Sequence, residues 1–160
     1  MATQSFQRDL ALPDRAATAR LAARVAGQLS AGDAVLLSGD LGAGKTTLAR
    51  AILQALGVTE TVPSPTFTLV QSYETQRLPV RHYDLYRIEH EEELDELGLD
   101  DALNEGAVLI EWPERAASRM PADALKVELA ITGEMSRAAR LSGPARWAEI
   151  IGMDETAHVR

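Results

Sequence analysis

The run GDLGAGKTT, residues 39 to 47, constrains this chain more than any other segment. It fits the pattern G-x-x-x-x-G-K-[ST], which has physical meaning only between a strand and a helix. Both flanks are present. AVLLSG (34–39) is a short continuous apolar run of the kind that forms a strand buried on both faces. TTLARAILQAL (46–56) has helical periodicity and is stopped by Gly57. Glycine lets the backbone close around an anion with its amides turned inward, and the following helix adds the positive end of its dipole. Gly39, Asp40, Leu41, Gly42, Ala43 and Gly44 would form that cradle. Lys45 would reach the terminal phosphates and the Thr46 hydroxyl would ligate Mg²⁺.

Composition narrows the setting. A chain of 160 residues is expected to be one domain, over 1–152, with 153–160 as a flexible tail. No apolar run is long enough to span a bilayer, and the first ten residues carry charges rather than an apolar signal segment. Cysteine is absent, which excludes disulfides and thiolate metal sites and fits a reducing cytoplasm. The net charge of −8 argues against nucleic-acid binding by this chain alone, because it repels phosphate backbones.

Along the chain, QSFQRDLAL (4–12) reads as a first strand and the segment from about 14 to 30 as a helix, with Leu21, Val25 and Leu29 on one face. TVPSPTFTLVQSYE (61–74) begins as a proline-stiffened loop and becomes a strand, and LPVRHYDLYR (78–87) gives another. The acidic stretch HEEELDELGLDDALNEG (90–106) reads as helical, GAVLIEW (106–112) as a second buried strand, and PERAASRM (113–120) as a short helix or loop. LKVELAIT and SRAARLSG are expected to be two more strands joined by GEM, and PARWAEII a closing helix.

A phosphate loop of this kind needs a second magnesium group, an acid at the end of a neighbouring apolar strand. Glu111, after Ala107-Val108-Leu109-Ile110, meets that requirement at the strand end where open α/β sheets bind ligands. Asp84 is the rival acid. Its strand is more polar and reads as less central, so it is given a nearby role, contacting the metal's water shell or orienting the attacking water. His82 reads as a strand histidine without an assigned task. Trp112 reads equally well as a lid and as core packing.

The chain has two lysines, Lys45 and Lys126, and neither begins the N/T-K-x-D element that recognises guanine, so ATP is expected rather than GTP. Thr66 lies where a switch loop would sense the γ-phosphate through Mg²⁺. Two readings stand at this point: an ATPase acting as a switch for a partner, and a small-molecule kinase with Arg115 and Arg119 as a minimal lid. Arg50 and Arg87 are candidates for completing the site by their position in sequence.

HYDLYR (82–87) and IEWPE (110–114), with GDLGAGKTT and SPTFTLV (64–70), make the chain resemble the TsaE family, from about Leu12-Pro13-Asp14 to Arg140. These are ATPase subunits of the bacterial machinery that makes threonylcarbamoyladenosine in tRNA. The resemblance implies a P-loop NTPase-like three-layer α/β fold: a mixed, mostly parallel central sheet with helices on both faces and antiparallel C-terminal strands. It also implies ATP hydrolysis tied to two partner proteins, TsaD, which transfers the threonylcarbamoyl group, and TsaB, with tRNA met only indirectly; by analogy with GTPases that hydrolysis is expected to be slow in the chain alone. Carried onto this sequence, residues 39–46 hold phosphates, Thr46 and Glu111 hold Mg²⁺, Thr47 lies near the α-phosphate, and Asp14, Ser136 and Arg137 lie near the adenine. Ser136 stands where relatives often have glycine, which weakens the adenine assignment.

Overall fold

The computed structural model describes residues 5–59 and 69–149. A seven-stranded sheet runs through it in the order β1-β7-β6-β2-β5-β4-β3. The strands are β1 (Ser5–Leu12), β2 (Ala34–Ser38), β3 (Val70–Glu74), β4 (Pro79–Asp84), β5 (Ala107–Glu111), β6 (Leu125–Ile131) and β7 (Arg137–Pro144). The four middle strands, β6, β2, β5 and β4, are parallel to one another. The flanks are antiparallel, with β7 and β1 on one side and β3 on the other.

Alternation along β2 and β5 explains the layering. Val35, Leu37 and Leu109 face one core, with α1 (Arg15–Gln28) and α2 (Lys45–Ala55) packed over it. Ala34, Leu36, Val108 and Ile110 face the other, covered by α3 (Glu92–Glu96) and α4 (Leu99–Glu105) through Leu94, Leu99 and Ala102. Helices therefore lie on both faces, as expected of strands apolar on both sides.

Local chemistry sets the element ends. Asp14 accepts the Ala17 amide at 2.9 Å and caps α1. The Arg77 guanidinium bonds the Ala26 and Leu29 carbonyls at that helix's other end. The acidic segment read as one helix is two, because Gly98 takes a left-handed φ of 75° between them. The closing helix expected from PARWAEII begins as a 3-10 turn over Ala145–Trp147 and continues as α-helix at 148–149, where the described residues end. Residues beyond 149, and with them the expected tail and domain limit, lie outside the described residues. No described helix is long and apolar enough to cross a membrane.

Candidate functional site

β2 and β5 end side by side, and the chain leaves β2 through the 39–44 loop into the first turn of α2. The loop's backbone demands glycine where it is tightest. Gly39 has a φ of 139°, and a Cβ there would run into the Leu129 carbonyl oxygen of β6. Gly44, with a φ of 106°, is the residue from which α2 starts, and it accepts the Leu48 amide at 2.9 Å. The sequence pattern thus becomes a closed backbone turn against the helix's positive end.

Lys45 is only 5% exposed. Its Nζ donates to the Gly39 and Asp40 carbonyls at 2.6 and 3.0 Å and stands 4.2 Å from the centre of the Trp112 ring. Burial lowers its pKa from the ordinary lysine value, while Glu111, Glu114, Asp84 and Asp40 pull it back up. An anion laid in the loop would supply the charge this ammonium otherwise meets only partly.

Glu111, 2% exposed at the tip of β5, is the hub of the polar contacts. Thr46 Oγ1 donates to both its carboxylate oxygens, at 2.8 and 2.9 Å, and His82 Nε2 lies 2.7 Å from Oε2. Asp84 is the register partner of Glu111 on β4, so the two acids end adjacent parallel strands. Its Oδ1 accepts the Tyr86 amide at 3.0 Å. A hydroxyl beside one carboxylate, with a second carboxylate on the next strand, is the all-oxygen donor chemistry magnesium prefers, and the residues fit that ion.

Trp112 follows with a left-handed φ of 60°, a strained conformation for a tryptophan, so the chain turns sharply as it leaves Glu111. Its ring packs against Tyr86, centroids 4.9 Å apart, and Arg115 lies over Tyr86. A cleft of about 350 Å³ opens here, lined by Leu41, Gly42, Gly44 to Thr47, Asp84, Tyr86, Arg87, Glu111, Trp112 and Arg137. Lys45, Thr46, Thr47, Asp84 and Glu111 are therefore brought together. Neither Arg115, Arg119 nor Arg50 lines the cleft, and Arg119 is paired with Asp95 at 3.0 Å.

A smaller cavity of about 100 Å³ shares Gly44, Thr47 and Arg137 with the cleft and is lined also by Asp14, Arg15, Thr18, Glu134 and Met135. Asp14 and Arg137, 123 residues apart in sequence, thus line one cavity. The Arg137 guanidinium bonds the Ala43 and Gly42 carbonyls at 3.1 and 3.2 Å and so braces the phosphate loop from β7. Ser136 lines neither; its hydroxyl accepts from Thr132 at 2.8 Å within its own turn. Thr66 lies outside the described residues. His82 is the residue that sequence reasoning leaves out. Its one signal is the H-x-D spacing, which in a strand puts His82 and Asp84 on the same face.

The family profile described as threonylcarbamoyl adenosine biosynthesis protein TsaE matches residues 12–139. A curated relative, the tRNA threonylcarbamoyladenosine biosynthesis protein TsaE of Rickettsia felis, is 41% identical over 80% of this chain and 75% of its own length. The protein of the same name from a Nostoc strain is 40% identical over 82% of this chain and 83% of its own. Among solved structures, Bacillus subtilis YdiB superposes with a TM-score of 0.77 and 26% identity, covering 99% of this chain and all of that one.

Proposed function

The chain belongs to the TsaE family of threonylcarbamoyladenosine biosynthesis in tRNA, and from that premise we propose that it is a magnesium-dependent ATP hydrolase whose turnover is coupled to TsaD and TsaB in the cytoplasm. The observation that carries the reading is the contact of Thr46 with Glu111 at the mouth of the 39–44 loop. It joins the group that ends the phosphate cradle to the acid that ends the next strand.

In this reading the loop amides and Lys45 bind the phosphates, Lys45 exchanging its carbonyl partners for phosphate oxygens. Thr46 and Glu111 would hold magnesium, whose charge, when bound, offsets that developing on the transferred phosphoryl group. Asp84, beside Glu111, orients the attacking water, and Arg137 keeps the loop closed. Asp14 and Arg137 border the region proposed for the adenine, and Thr66 is proposed to sense the γ-phosphate. Without a partner-supplied charge at the transition state such a site is slow, about 10⁻⁴ to 10⁻² s⁻¹ by analogy with GTPases.

Phosphate release from ATP by the chain alone, with TsaD–TsaB, and with Lys45→Ala tests the proposal. The expected result is slow basal release, stimulation by the partners, and loss in the variant. Fast turnover by the isolated chain, indifference to the partners, or phosphate appearing on a small-molecule acceptor would contradict it.

A further inference from the structure

The proposed hydrolysis gives no task to His82, although His82 is fully buried and touches the site's central acid. Two facts fix its tautomer. An ionised carboxylate only accepts hydrogen bonds, so the Nε2 that lies 2.7 Å from Glu111 Oε2 carries the proton. Nδ1 is buried with no hydrogen-bond partner among the described residues. A proton there would be an orphaned donor, rarer in proteins than an under-used acceptor.

We propose that His82 is a positioning residue. Its Nε2–H holds Glu111 in the rotamer that meets Thr46 and thereby sets how strongly magnesium tightens nucleotide binding. The inference rests on the magnesium reading of Thr46 and Glu111. A glutamate at a strand tip has three side-chain torsions to fix, and the Thr46 hydroxyl alone would let the carboxylate pivot. His82 removes that freedom because its own backbone is clamped between strands, paired with Gln71 of β3 and Leu109 of β5. Two donors still leave about half of the carboxylate's four or so acceptor positions for a cation. Partners that orient a metal ligand in this way are typically worth about 10- to 100-fold in metal affinity.

The test pairs imidazole ¹⁵N NMR of the wild-type chain with calorimetric titration of ADP, with and without magnesium, for wild type, His82→Leu and His82→Gln. Glutamine keeps a donor near the position of Nε2; leucine keeps bulk without one. The expected spectrum shows a proton on Nε2. His82→Leu should bind metal-free ADP within about twofold of wild type but lose on the order of tenfold of the tightening by magnesium, and His82→Gln should restore most of it. An Nε2 without a proton, full magnesium tightening in His82→Leu, or equal losses in the two variants would overturn the inference. If thermal melting shows His82→Leu unfolded, the spectrum and His82→Gln decide: a wild-type magnesium effect in the glutamine variant supports the inference, and its loss overturns it. A wild-type chain whose ADP affinity ignores magnesium overturns the earlier reading instead.

Discussion

Asp84 and Glu111 are register partners on neighbouring strands, yet they keep different company. Glu111 receives donors from Thr46 and His82, whereas Asp84 accepts the Tyr86 amide where the chain bends out of β4. On that contrast the proposed reading gives the metal to Glu111. Glu111→Gln should therefore lose magnesium-dependent hydrolysis while keeping part of the affinity for nucleotide, measured by phosphate release and ADP titration. Normal hydrolysis in Glu111→Gln together with lost metal dependence in Asp84→Asn would reverse the two roles. Glu111 is legible in the sequence because four apolar residues announce a buried strand and leave its charge at the tip. Its contact with His82 spans 29 residues and has no local signature beyond the spacing to Asp84.

Among the elements, the phosphate loop is the most tightly specified. Gly39→Ala would place a methyl group against the Leu129 carbonyl at a φ that alanine rarely adopts. The expected cost is about 1 to 3 kcal/mol, seen as a lower melting temperature, with nucleotide affinity falling as the loop shifts. Unchanged melting and affinity would mean that this turn tolerates a side chain. The strand, loop and α2 are readable in sequence because their chemistry is contiguous. The place of β4 is not. Its polar residues suggest a peripheral strand, but it sits inside the sheet between β3 and β5, where His82 contacts Glu111 and Asp84 lines the cleft. The break at Gly98 depends on packing too, since the Gly98 carbonyl accepts from Arg81 of β4 at 3.1 Å.

At the scale of the whole molecule, the parallel strands β2, β5 and β4 bring the phosphate loop, Glu111 and Asp84 to one end of the sheet, while β1 and β7 bring Asp14 and Arg137 to the same end from the antiparallel flank. Sequence reasoning reaches the α/β class through the loop, but strand order follows from pairings between distant segments that no local pattern encodes. The net charge of −8 argues against tRNA binding by this chain alone. All of this turns on whether the 39–44 loop grips a nucleotide whose cation is anchored by Thr46 and Glu111. Calorimetric titration of the wild-type chain and of Lys45→Ala with ADP and ATP in magnesium is the most direct test. The account predicts saturable binding by the wild type and its loss in the variant, with both proteins folded. No heat of binding from the folded wild-type chain, or equal binding by Lys45→Ala, would contradict it.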